Sequence, residues 1–167
     1  MSQPSPKEQF LQAFEREFET TMRVLRAYPV AKDSLRPHPK AKSARELAWI
    51  FALEQGLCEK GMTKGFDWSQ PPQLPPPPDS FATVLAAVEQ GHKRLGDIVR
   101  GMSDANLTET VKFFVAPKQL GDVPKIQFLW FVLCDQIHHR GQFSVYLRMA
   151  DGKVPSIYGP SLDEPWM

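Results

Sequence analysis

Four stretches of the chain place apolar residues every three or four positions, and segments rich in proline separate them. That period gathers apolar side chains on one face of an α-helix. Proline cannot sit inside a helix without removing a hydrogen bond and clashing with the preceding turn. The pattern therefore predicts an all-α chain, a four-helix bundle, with helices near 5–28, 43–60, 80–102 and 124–149. At 167 residues, residues 1–167 form one domain with a real core.

The first helix opens on Ser5-Pro6-Lys7-Glu8, a capping box with proline in the first turn. Phe10, Leu11, Phe14, Phe18, Met22 and Leu25 then form one stripe. A second capping box, Ser43-Ala44-Arg45-Glu46, starts the next helix, with Leu47, Ile50, Phe51, Leu57 and Cys58 on one side. Glu54 stands only about 40° from Ile50 around that helix. It either reaches water at the stripe's edge or points into a polar pocket.

Residues 69–79 carry a proline run that favours polyproline II and predicts a surface crossover. A docking site for a proline-reading partner is the sharper alternative. The third helix bears Phe81, Val84, Leu85, Val88, Leu95, Ile98, Val99 and Met102. His92 falls about 40° from Val88, as a hydrogen-bonded histidine at the core edge or as a site residue. Ser103–Gly121 reads as irregular, with Val111–Val115 extended or packed over the bundle.

The last helix is apolar nearly all round from Ile126 to Leu133. That predicts burial inside the bundle or at a subunit contact, hence a homodimer. In the tail, Tyr158 and Trp166 are expected to pack on the bundle, with partners for their polar tips.

Charge excludes some functions. The 20 basic and 19 acidic residues leave +1, with no phosphate-tracking surface, so no nucleic-acid partner is expected. The longest apolar run, Phe128–Cys134, is far short of the ~20 residues of a membrane helix. No membrane partner is expected either. The start, Met1-Ser2-Gln3-Pro4-Ser5-Pro6, lacks the basic and apolar regions of a secretory signal. Cys58 and Cys134 are far apart, outside any C-x-x-C frame, and read as buried thiols in a reducing cytoplasm.

Candidate chemistry lies in Asp135–Gln142. With Asp135 at zero, His139 stands at about 40°, Gln142 at about −20° and His138 on the flank at about −60°. An aspartate and a histidine one turn apart can hold one divalent ion if another helix supplies a third group. An interface or capping role is the alternative for the histidine pair.

His138-His139-Arg140-Gly141-Gln142, then Val145-Tyr146-Leu147-Arg148 and Val154-Pro155-Ser156-Ile157-Tyr158-Gly159-Pro160, resemble the C-terminal signature of the DinB/YfiT-like family. The likeness extends over nearly the whole chain. It implies a four-helix bundle, often dimeric, with a divalent metal on three histidines. One histidine comes from the second helix and two from a His-x-x-x-His on the last. Relatives include metal-dependent transferases or isomerases that use small thiols such as bacillithiol and mycothiol, and many members have no known activity.

This chain keeps one of those ligands, His139. Asp135 stands where the first histidine of the last-helix pair belongs, and the second-helix position falls at Ile50. The first reading is a DinB-like protein with a degenerate site and a non-catalytic, stress-associated binding or assembly role. The alternative is a metal-dependent thiol transferase or isomerase with the site rebuilt from Glu54, Asp135 and His139. Gln142 and His138 would then support the ligands. Such a set takes Zn, Ni, Mn or Fe and needs no soft ligand; the first reading needs no metal. A small-molecule ligand is compatible with both.

Overall fold

The computed structural model describes residues 3–70 and 73–167; Met1, Ser2, Pro71 and Pro72 lie outside the described residues, the last two being part of the proline run. Four long helices are α1 (Pro6–Arg26), α2 (Ala44–Thr63), α3 (Phe81–Gly101) and α5 (Lys125–Met149). Ser5 and Ser43 cap α1 and α2 through full capping boxes with Glu8 and Glu46, and Ser80 caps α3. α2 packs on α3 and α5, and α1 packs on α5 and α3.

The purely helical expectation is corrected between α3 and α5. A short helix α4 (Asp104–Thr108) leads into an antiparallel hairpin of β1 (Thr110–Ala116) and β2 (Gln119–Pro124). The loop, Pro117-Lys118, puts Lys118 at φ 61°, a conformation usually given to glycine or asparagine. Val111 is buried, and Phe113 sets its ring 4.7 Å from that of Phe128. The hairpin thus caps one end of the core.

Two apolar clusters fix the helix directions. One gathers Phe10 and Phe14, Cys58 and Met62, Leu95 and Val99, Phe128 and Leu129. The other gathers Leu25, Leu47 and Phe51, Phe81 and Val84, Phe143 and Leu147. α2 and α3 therefore run in the same direction, antiparallel to α1 and α5. A 20-residue α2 is ~30 Å long, so the chain must return that distance before α3 can begin. At ~3.1 Å per residue, a polyproline segment spans it. The return path lies along α2: Trp49 donates its indole N–H to the Pro75 carbonyl at 2.9 Å, and Arg45 donates to that of Asp79.

Gly91 lets α3 approach α2 closely, because a Cβ there would strike the Gln55 side chain. No helix among the described residues is long and apolar enough to cross a membrane. The all-round apolar start of α5 divides its faces. Phe128, Leu129, Val132 and Leu133 are buried, whereas Phe131 is exposed. Cys134 corrects the reading of two buried thiols: it is exposed, and only Cys58 is buried. The tail also departs from expectation. Tyr158 and Trp166 are mostly exposed at their rings and are held by their polar tips.

Candidate metal centre

Between the two apolar clusters the helices carry polar side chains. Glu17, Thr21, Glu54, Gln55, His92 and Arg140 are all buried. Burying charge is costly unless each group is paired, and this layer divides into one part that is closed and one that is not.

The closed part joins α1, α5 and the tail. Arg140, 1% exposed, donates to Glu17 Oε2 at 2.8 Å, to the Glu17 carbonyl at 3.1 Å and to Thr21 Oγ1 at 3.3 Å. Tyr158 donates its hydroxyl to Glu17 Oε2 at 2.6 Å and accepts from Arg140. Burial alone would raise the Glu17 pKa, but Tyr158 and Arg140 outweigh it and hold the carboxyl below its ordinary value.

The open part joins α2 and α5. Glu54, Asp135 and His139 place one donor atom each within 4.8 Å of one another. His139 Nδ1 is 2.9 Å from Glu54 Oε1. Yet His139 Nδ1 and Glu54 Oε2 are both buried without a hydrogen-bond partner among the described residues. The contact has the distance of an ion pair, while Glu54 Oε2 is left with no partner of its own. Burial pushes the Glu54 carboxyl up to about 7; His139 opposes the rise and Asp135 adds to it. The Glu54 contact raises the His139 pKa against its desolvation, and Lys42 lowers it.

These residues fit a divalent ion. Two carboxylates and an imidazole offer hard and borderline donors with no sulfur, a set suited to Mn, Fe, Ni or Zn. Glu54 is buried and Asp135 half-buried beside it, two carboxylates that repel when both are ionised, and the two orphaned atoms, Glu54 Oε2 and His139 Nδ1, are those that an ion would satisfy. Clefts flank the group on both sides. One of about 1240 Å³ between α2 and the proline crossover reaches Glu54. Another of about 530 Å³ reaches His139. Lys40, Ala41, Lys42 and Ile50 border both.

The sequence model of the DinB family matches residues 1–166. The chain belongs to the DinB family. It is similar to the Bacillus subtilis (strain 168) protein described as "Uncharacterized protein YrdA", 25% identical over 158 residues, 93% of this chain and 89% of that one. The crystal structure of a DinB-like protein from Bacillus cereus ATCC 10987 matches with a TM-score of 0.75 at 25% identity, over 89% of this chain and 95% of that one. A second DinB-like protein, YjoA of Bacillus subtilis, shares the fold with a TM-score of 0.68 at 15% identity, over 95% of this chain and 99% of that one.

Within this DinB fold, Ile50 is half-buried and borders both clefts, one turn before Glu54. Glu54 points inward and does not reach water at the helix edge. Gln142 borders the same cleft as His139. Gln142 and His138 are both exposed and sit against each other, Nε2 to Nε2, at 2.9 Å.

His92 takes the place of a core-edge histidine. Its ring stacks between Phe14 and Phe18 at 4.1 and 3.6 Å, with Nε2 2.8 Å from Glu15 Oε2. Sequence reasoning missed the Arg140–Glu17–Tyr158 group. The signal was present: Glu17 and Thr21 continue the Phe10–Phe14 stripe by three and four residues.

Proposed function

We propose that this DinB-family protein is a divalent-metal-dependent enzyme whose ion is held by Glu54, Asp135 and His139. The observation that carries the reading is the pair of buried, unpartnered atoms, Glu54 Oε2 and His139 Nδ1, beside a second carboxylate. Gln55 Oε1 and His92 Nδ1 in the same layer also lack partners among the described residues, but only at Glu54 and His139 do the orphaned atoms belong to a cluster of potential metal ligands. A bound ion there supplies Lewis acidity that lowers the pKa of a small nucleophile, water or a thiol; the family resemblance implies the thiol. Glu54 and Asp135 supply negative charge from two helices, and Glu54 with a pKa of about 7 can hold a proton near neutrality while the site is empty of metal. Ile50 gives the centre an apolar wall.

The test is metal content and stability of protein made without a histidine tag. Mn²⁺ or Zn²⁺ should bind stoichiometrically and raise the unfolding midpoint. Asp135→Ala and His139→Ala should each abolish the effect, and His138→Ala should preserve it. Absence of uptake would leave the binding or assembly role in its place. We further propose a homodimer through the exposed face of α5 that carries Phe131 and Val145. A Phe131→Glu variant should sediment as monomer where the parent sediments as dimer, and a monomeric parent at micromolar concentration would refute this.

A further inference from the structure

Helix α2 is apolar on two sides. Leu47, Phe51 and Cys58 enter the core, while Trp49, Ile50, Leu53 and Leu57 are half-buried and line the larger cleft. Among the described residues of the crossover, Gln70, Gln73, Leu74, Pro75 and Pro77 line this second face without filling it. The crossover is pinned near its ends, by Trp49 to the Pro75 carbonyl and by Trp68 to the Lys112 carbonyl, each at 2.9 Å. Prolines have no amide N–H, so they donate no hydrogen bond to what lies beneath them. The result is the cleft of about 1240 Å³. From Ile50 to Lys60 its wall on α2 runs ~15 Å. The far end is aromatic, with Trp68 and Phe113 edge to face at 5.6 Å.

The end nearest the triad is basic. Arg36 there is bound to Glu46 at 2.8 Å. Lys40 and Lys42 are exposed and border both clefts. Among the described residues, the lysines in ion pairs are Lys32, Lys93, Lys112 and Lys125. Lys40 and Lys42 are thus unpaired where the clefts meet, whereas Lys60, the other unpaired lysine lining the larger cleft, stands at the aromatic end over the Phe66 ring at 5.8 Å. A long apolar slot with two unpaired cations at one end is complementary to an amphiphilic anion.

We propose that the cleft binds a small amphiphilic carboxylate, with its apolar tail along α2 beneath the crossover and its carboxylate between Lys40 and Lys42. This names the substrate class of the metal centre proposed above, and it rests on that reading only for the chemistry at the head group.

The experiment is calorimetric titration of the full chain, first after chelation of metal, with decanoate and with decyltrimethylammonium, which pairs a similar tail with the opposite charge. Decanoate should bind saturably, and the cation about tenfold or more weaker. Replacing both lysines, Lys40→Ala with Lys42→Ala, should erase that preference. Gly56→Phe gives a second handle. Gly56 lines the cleft, and a Cβ there would meet nothing within 4 Å. A larger residue at this helical site fills the slot and improves helix propensity. It should abolish decanoate binding with the unfolding midpoint unchanged or raised. Equal affinity for the two tails, or decanoate binding that survives Gly56→Phe, would overturn the proposal. Repeating the titration with Mn²⁺ separates the two readings. Tighter decanoate binding supports a shared site, whereas decanoate binding unchanged by Mn²⁺ that the protein takes up overturns the assignment of this ligand as substrate of the metal centre, and failure of Mn²⁺ uptake itself overturns the metal reading alone.

Discussion

His139 and Arg140 are neighbours on α5, and they end in opposite circumstances. Arg140 turns toward α1 and finds Glu17, Thr21 and Tyr158, which answer its charge and its donors. His139 turns toward Glu54 of α2, with Asp135 one turn before it on α5, and Glu54 Oε2 and His139 Nδ1 are left without hydrogen-bond partners among the described residues. Both groups occupy the same polar layer between the same two apolar clusters. A fold can tolerate a buried charged group when it is closed, and it gains nothing from leaving one open. On the proposed reading the open side is where function belongs, and the closed side ties α1, α5 and the tail together.

The first test of that division is to break the closed side. Arg140→Met should leave buried Glu17 with only the exposed Arg16 at 3.4 Å as counter-ion, at a cost of about 3 kcal/mol in urea unfolding at neutral pH. Adding Glu17→Leu should recover most of the loss, because a pair of apolar residues replaces a pair of charges. A single-variant cost below ~1 kcal/mol would show that the group does not hold the helices.

A comparable effect of the opposite sign is expected on the open side. Glu54→Gln should stabilise the metal-free protein near pH 8 and abolish its stabilisation by Mn²⁺. The sign follows from the pKa of about 7 against an unfolded value of ~4.3. The folded state binds the extra proton between those values, so stability is fully present below ~4.3 and is lost as pH rises through 7. The loss is about 3–4 kcal/mol. His139, also raised, acts in the same direction. Glu17, held below its ordinary value, acts in the other: its stabilisation is lost as pH falls through its folded pKa. Metal-free protein should therefore lose stability on both limbs, and Glu54→Gln should flatten only the alkaline one. An unchanged alkaline limb in that variant would remove the open site from the account.

The helices were legible because their ends are written locally. Ser5 with Glu8 and Ser43 with Glu46 close capping boxes that need no tertiary information. The hairpin was not, because its loop uses Lys118 at positive φ in place of the glycine or asparagine that signals such a turn. Cys134 could not be assigned a side, because a helix apolar all round fixes no rotation until its neighbours are known. Asp135, His139 and Glu54 could be placed on faces from helical angles alone. That Glu54 Oε2 and His139 Nδ1 are buried and unanswered depends on how α2 meets α5. The run of prolines showed that a crossover exists. Its length became intelligible only once α2 and α3 were seen to run in parallel.

The smallest effect examines whether the two groups are independent. Tyr158→Phe removes one hydroxyl from the closed side, which donates to Glu17 at 2.6 Å. The ring is largely exposed, so little apolar burial changes. Arg140 still serves Glu17 at 2.8 Å, so no charge is left unpaired. The cost should be about 0.5–1.5 kcal/mol, the net value of one hydrogen bond. Losing that donor should also let the Glu17 pKa rise, since Tyr158 is the largest of the contacts that lower it. The acid limb of the stability profile should therefore move to higher pH. Mn²⁺ stabilisation should not change, because nothing at Glu54, Asp135 or His139 contacts the tyrosine hydroxyl. A variant that kept its stability but lost Mn²⁺ stabilisation would show that the adjacent residues 139 and 140 transmit strain along α5, and the two sides of the layer would have to be treated as one network.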